Sequence, residues 1–337
     1  MPDSQHVPRA TAGGADREAA LVRRHTPLGP GGEFDVVRGL VAQWGDLASG
    51  IGDDCALLDV PPGERLVATT DSSLENVHFR RGWLTPAEIG WRAAAAAVSD
   101  LAAAGASPLG LMLGIAVPDG WRRDLDEIAN GIGEFARAAG IPIVGGDLSR
   151  GDLLVLAVTA LGSARSPLGR GGAIPGDRIV VTGRVGGPAL ALERWQRGEE
   201  PRAEERARFA RPMTRLREAR WLAAHGAHAA VDISDGLASD VGHIASASGV
   251  RIVLDAARVP AFPGADWRMA TASGEEYEVA MALPAELQHA ELAERFQAEF
   301  QLPLSVIGEV YAGEPGVELR LDGERVDLPS GYDHFSG

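Results

Sequence analysis

The chemistry of this chain is carried by aspartates, and residues 50–71 hold the densest group. A glycine-flanked pair, Asp53 and Asp54, opens the stretch, and Thr69-Thr70-Asp71 closes it. Between them lie two apolar runs separated by a Pro-Pro-Gly turn, which predicts two strands with oxygen-rich tips. Carboxylates and hydroxyls at such tips are hard-oxygen ligands, suited to holding Mg²⁺ against substrate phosphates. Further aspartates recur downstream at Asp100, Asp147, Asp232 and Asp235. A lone acidic pair carries little information; five acidic sites at predicted strand or helix ends carry much more.

Composition limits what these residues can do. The chain has 337 residues, 45% of them hydrophobic, enough for two domains with buried cores. A formal charge of −15 argues against a nucleic-acid partner, which needs a basic face. A polyphosphate ligand would require metal ions to screen it. All 32 basic residues are arginine, so a P-loop lysine and any Schiff-base chemistry are excluded. The single cysteine, Cys55, permits no disulfide within the chain, which suits a reducing compartment. No apolar run reaches the ~18 residues of a membrane span, and no signal-peptide pattern is seen. The expectation is a soluble cytoplasmic protein that engages neither membrane nor nucleic acid.

The elements that must position the aspartates follow from periodicity and punctuation. Residues 1–32 are polar and aperiodic, and are expected to form a disordered extension. A helical pattern starts at Glu33. Thr85, Pro86 and Glu88 form a strong helix start ahead of an alanine-rich helix reaching about Ala104, with Asp100 in its closing turns. A strand over 109–117, a helix over 122–139 and a strand over 141–144 then lead to Gly145-Gly146-Asp147. Small residues before that carboxylate allow close approach of a phosphate or metal. The turn-rich segment 166–177 is the expected junction, giving domains over 33–165 and 166–337. In the second half a strand over Arg178–Thr182 precedes a glycine-rich turn, and residues 199–211 are expected to be exposed. A strand over 229–233 delivers Asp232, Ser234 and Asp235 to the mouth of a helix. Ser234 or Asp235 could simply cap that helix, but Asp232 is not needed for capping. Strands over 251–254 and 277–283 follow.

Taken in order, GIGDDCALL, TTD, His78-Phe79, SDLAAAGASP, GGD, PGD, VDISDGLASDVGHI, GEEYE and the terminal GYDHF resemble the thiamine-monophosphate kinase family of the aminoimidazole-ribonucleotide-synthetase-like superfamily. The match begins at Gly32-Glu33-Phe34-Asp35 and covers nearly the whole chain. The resemblance implies an α/β (α+β) fold of two domains. The N-terminal domain's sheet pairs across a homodimer, and an α/β domain follows. It implies transfer of a phosphoryl group from ATP to thiamine monophosphate, giving thiamine diphosphate, with several Mg²⁺ ions. Asp54, Thr69, Thr70, Asp71, Asp100, Asp147, Asp232 and Asp235 are then the metal ligands, with Asp54, Asp71 and Asp147 central to catalysis. Gly146, Asp147, Arg170 and Ser234 contact ATP, and His78 and Glu275 contact the acceptor.

Departures from the family pattern gather on the acceptor side: DSSLEN at 71–76, Ser273 and Glu276 within the GEEYE region, and Pro329 in place of a tryptophan found in some members. Ala97 also stands where an asparagine is usual. The alternative reading is another ATP-dependent synthetase or kinase of the superfamily with a different acceptor. A non-enzymatic acidic scaffold is a further alternative. It predicts weak, non-stoichiometric Mg²⁺ binding and no nucleotide-dependent shift in melting temperature.

Overall fold

The computed structural model describes residues 25–332. Most of the expected N-terminal extension, residues 1–24, and the terminal Asp333, His334 and Phe335 lie outside the described residues. Residues 25–31 have no helix or strand, yet Thr26 donates a backbone bond to Ile51 at 3.0 Å.

The first half runs α1 (Gly32–Trp44), β1 (Arg65–Leu74), α2 (Pro86–Ala103), β2 (Ser107–Val117), α3 (Leu125–Ala139), β3 (Ile143–Arg150) and β4 (Val155–Ala164). Its sheet has the order β1-β4-β2-β3, so β1 and β3 are the two edges. The second half runs β5 (Arg178–Thr182), α4 (Gly187–Gln196), α5 (Ala203–Ala210), α6 (Leu216–Ala224), β6 (Ala229–Asp232), α7 (Leu237–Ser248), β7 (Arg251–Asp255), α8 (Trp267–Ala272), β8 (Val279–Leu283), α9 (His289–Phe300), β9 (Leu304–Tyr311), β10 (Gly316–Leu321) and β11 (Glu324–Val326). These strands form a seven-stranded sheet, β11-β10-β7-β9-β5-β8-β6. Helices and strands largely alternate along the chain, but among the described strands only β2–β3 and β7–β10 pair in parallel.

The element on which both halves rest is α2. Its start is fixed locally: the Thr85 hydroxyl accepts from the Glu88 N–H, Glu88 answers on the Thr85 N–H, and Pro86 stands at the first position. From Ile89 to Ala102 every residue but Asp100 is buried. A helix apolar on all sides belongs in an interior, and here it lies between the first sheet, α3 and α6. Glycines set how closely α3 approaches. A Cβ on Gly90 would fall 2.0 Å from the Ile128 carbonyl oxygen, and one on Gly131 would fall 1.8 Å from that of Ala87. One apolar core runs without a break from α1 and α3 through α2 to Phe209, Leu222 and Phe296 of the second half. A second core packs α7 under the other face of the large sheet.

Four expectations are corrected. The apolar run at 55–60 forms no strand, whereas β1 continues past Asp71 to Leu74, so Thr69–Asp71 lie within a strand. Pairing with β2 carries β3 on to Arg150, which puts Asp147 in the body of an edge strand. The helix expected over 122–139 begins with a separate 3₁₀ turn, Asp119–Asp124. The charged segment near 199–211 contains α5, with Glu205, Phe209 and Ala210 buried. The Glu205 carboxylate is met by Arg194 at 2.7 Å, so a charged residue here is an interior one.

Candidate active site

The two halves enclose a cleft of about 860 Å³ whose wall includes Asp71, His78, Ser234, Asp235 and Glu275. Asp266 adds a fourth acid against Arg80 and Arg268, so the lining is rich in carboxylates.

Behind Asp71 stands a group of acids supplied by three elements. Thr69 and Asp71 lie on the face of β1 turned toward α2, and the Thr69 hydroxyl donates to Asp100 Oδ2 at 2.5 Å. One position earlier on α2, Ser99 donates to Asp232 Oδ2 at 2.8 Å, reaching the end of β6. Burial first, then the Asp100 charge, pushes the Asp232 carboxyl up to about 8, with Arg170 among the groups opposing the rise. Burial, and after it the charges of Glu275 and Asp100, also raises Asp71. Burial and mutual repulsion thus disfavour the charge of Asp71 and Asp232, and a cation bound between them would relieve both effects. A hard divalent ion with oxygen ligands fits that donor set. Asp235 sits nearby, with one ligand atom each from Asp235, Asp240 and His243 lying within 4.8 Å of one another.

Just beyond the end of β1, the Leu74 N–H donates to His78 Nδ1 at 3.1 Å, which leaves Nε2 to carry the ring proton of the neutral imidazole. Glu275 faces the cleft with φ +61° and Tyr277 follows at +52°, left-handed conformations that cost energy outside glycine. They are held by backbone bonds from Glu275 to Ser234 (2.7 Å) and from Tyr277 to Ile233 (2.9 Å). Gly274 is required where the strands of chain cross: a Cβ there would lie 2.4 Å from the Ser234 oxygen.

Other expected site residues stand apart. Asp54 is exposed on the irregular segment before β1 and does not line the cleft. Thr70 points to the opposite face of β1 from Asp71, where it accepts from Thr159 at 3.1 Å. By register Asp71 shares a row with Val158, Leu113 and Gly146, and Asp147 the next row with Gly114, Ala157 and Ser72. Asp71 and Asp147 therefore lie on opposite edges and opposite faces of the sheet, with three strand spacings, about 14 Å, between their strands. Gly146 itself is demanded by packing, since a Cβ would meet the Leu113 carbonyl oxygen at 2.1 Å.

Two contributors escaped the sequence reading. Asp240, one turn into α7, accepts the backbone N–H groups of Ser234, Asp235 and Gly236 and so shapes their loop. Burial, then the Asp235 charge, raises its carboxyl to about 7. Arg92, only 3% exposed, pairs with Glu275. Its signal was a single charge followed by five alanines.

The architecture and cleft have counterparts among known proteins. Residues 52–164 match the model of the AIR synthase related protein, N-terminal domain, and residues 175–320 that of the C-terminal domain. The chain thus has the two-domain AIR-synthase-related fold. It is 34% identical to the thiamine-monophosphate kinase of Escherichia coli strain K12 over 86% of this chain and 93% of that one. It is 36% identical to that of Synechococcus elongatus, over 85% and 91%. The crystal structure of thiamine-monophosphate kinase from Stenotrophomonas maltophilia K279a superposes with a TM-score of 0.76 at 34% identity, covering 89% of this chain and 98% of that one. The AaThiL structure complexed with AMPPCP and TMP superposes with a TM-score of 0.71 at 27% identity, covering 90% and 97%. The chain belongs to the thiamine-monophosphate kinase family.

Proposed function

We propose that the protein transfers the γ-phosphoryl group of ATP to the phosphate of thiamine monophosphate, yielding ADP and thiamine diphosphate, with Mg²⁺ ions bound. The observation that carries this reading is the gathering of Asp100 and Asp232 behind Asp71, which itself lines a cleft between two domains. The relatives' names and the complex with AMPPCP and TMP support the donor and acceptor.

Phosphoryl transfer passes through a loose transition state and asks for positioning and charge neutralisation more than for a nucleophilic side chain. The bond between the β-bridging oxygen and the γ-phosphorus breaks as an acceptor phosphate oxygen bonds to that phosphorus. Such an oxygen is already anionic, so no strong base is needed. Asp71, Asp100, Asp232 and the Thr69 hydroxyl would hold metal with Asp235 beside them, whereas Asp54, Thr70 and Asp147 stand apart from this group within one chain and would act as ligands only through a further approach. Bound Mg²⁺ supplies charge that lets donor and acceptor phosphates approach. Gly146, Asp147, Arg170 and Ser234 would contact ATP, Arg170 as a fixed cation. His78 Nε2–H can donate to an acceptor oxygen, and Glu275 can balance a cationic thiazolium.

The separation of Asp147 from Asp71 favours a homodimer, in which a second copy joining its sheet to this one supplies the missing carboxylate. Among the described residues no helix is long and apolar enough to cross a membrane, and we place the reaction in the cytoplasm. The test is direct: purified protein with ATP, Mg²⁺ and thiamine monophosphate, assayed for both products. Equal amounts of ADP and thiamine diphosphate are expected; ADP without thiamine diphosphate would remove the acceptor assignment.

A further inference from the structure

Arg92 and Ser99 are seven residues apart on α2, so they share the helix face turned to the second half. Ser99 bonds Asp232 on the metal side. Arg92 is committed to the acceptor side: one guanidinium nitrogen donates to the Phe209 carbonyl at 2.6 Å, another pairs with Glu275, and the group lies 3.7 Å from the centre of the Phe209 ring. A guanidinium buried to this degree requires an anion. Both the Arg92 nitrogen and the Tyr277 hydroxyl meet the same carboxylate oxygen of Glu275, Oε2. That leaves Oε1 as the oxygen available to the cleft that Glu275 lines.

We propose that Arg92 is a positioning residue: together with Tyr277 it fixes Glu275 by one oxygen and presents the other to the cationic ring of the acceptor. The inference rests on the phosphotransferase reading above and adds to it a specificity device. Because Arg92 is on the helix that carries Asp100, the acceptor carboxylate and the metal carboxylates are placed by one rigid element. The surrounding loop is tied down independently, since Glu276 accepts from the Gly186 N–H and from Arg208 at 2.9 Å. A planar guanidinium can hold Phe209 and Glu275 together, whereas an ammonium at this position cannot span both.

The experiment is a mutant cycle on the full chain, read as separate KM values for thiamine monophosphate and ATP. Arg92→Met should raise KM for thiamine monophosphate by about tenfold or more, the scale of a lost buried ion pair, and leave KM for ATP within about twofold. Arg92→Lys should recover only part of that loss. In Arg92→Met with Glu275→Gln the loss should be no greater than in Glu275→Gln alone, because the arginine acts through the carboxylate. Should Arg92→Met fail to fold, Arg92→Lys with and without Glu275→Gln carries the same cycle. Additive losses, or equal rises in both KM values, would overturn the positioning role while leaving the reaction intact. A wild-type enzyme that makes no thiamine diphosphate would overturn the reaction, and this inference with it.

Discussion

Ser99 Oγ lies 2.8 Å from Asp232 Oδ2, a bond across the domain junction between residues 133 apart in sequence. It ties the helix carrying Asp100 to the strand end carrying Asp232, and both acids then share a buried region with little positive charge. Asp232 is raised from 3.8 to about 8 by burial and then by Asp100. Between those values the folded protein keeps a proton that the unfolded chain has released, so stability falls as pH rises. In metal-free buffer the melting temperature should therefore drop from pH 5 toward pH 8. Asp232→Asn should flatten that slope. Added Mg²⁺ should reverse it, because metal and proton compete for the same oxygens. Melting curves at several pH values with EDTA or Mg²⁺ check this. A wild-type slope that Asp232→Asn leaves unchanged would contradict it.

Asp71 separates activity from stability. Burial, Glu275 and Asp100 all oppose its charge, so a neutral isostere relieves repulsion. Asp71→Asn should melt at the wild-type temperature or above it at pH 7.5, yet lose phosphoryl transfer by about a hundredfold or more. Activity within a few fold of wild type would remove Asp71 from the metal set.

What the sequence disclosed was whatever local chemistry decides. The Thr85-Pro86-Glu88 start of α2 and the strand Arg178–Thr182 were legible because caps, propensity and apolar runs are local. The extent of β3 was not, since its continuation through Asp147 depends on pairing with β2, a partner some thirty residues away. The apolar run at 55–60 looked like a strand and pairs with none. The charge of residues 199–211 suggested exposure, but Arg194 meets Glu205 in the interior. The aspartates were visible as residue types in order. That Asp232 would meet Ser99, and that Asp147 would stand away from Asp71, are facts of tertiary packing.

Below the acceptor loop lies a buried ion network centred on Glu278. Burial pushes its carboxyl up, but Arg215 and Arg208 outweigh that and hold it below the usual carboxylate range. The Arg215 Nε bond is 2.6 Å and the Thr182 hydroxyl donates at 2.7 Å. Removing the anion leaves Arg215 short of a counter-charge, while Arg208 keeps only Glu276. Glu278→Gln should cost about 3–5 kcal/mol, the scale for breaking a buried pair from one side. A group with a lowered folded pKa contributes its stability above the unfolded value and loses it as pH falls. The wild-type advantage over Glu278→Gln, measured by urea denaturation, should therefore shrink below about pH 4.5. An advantage independent of pH would mean that shape, not charge, is what Glu278 contributes.

The opposite placement of Asp71 and Asp147 makes the proposed homodimer testable through activity. If each site draws Asp71 from one copy and Asp147 from the other, neither Asp71→Asn nor Asp147→Asn alone retains a complete site. A mixed dimer of the two variants has one site with both changes and one with neither. Co-expressed and purified through distinct tags, the mixed dimer should regain about half the activity of wild type, since one site in two is whole. Each variant alone should remain inactive. If both aspartates instead serve the site of their own chain, every site in the mixture is damaged and no activity returns. Sedimentation of the same samples must show the dimer, because a monomeric wild-type enzyme with full activity would exclude any shared site.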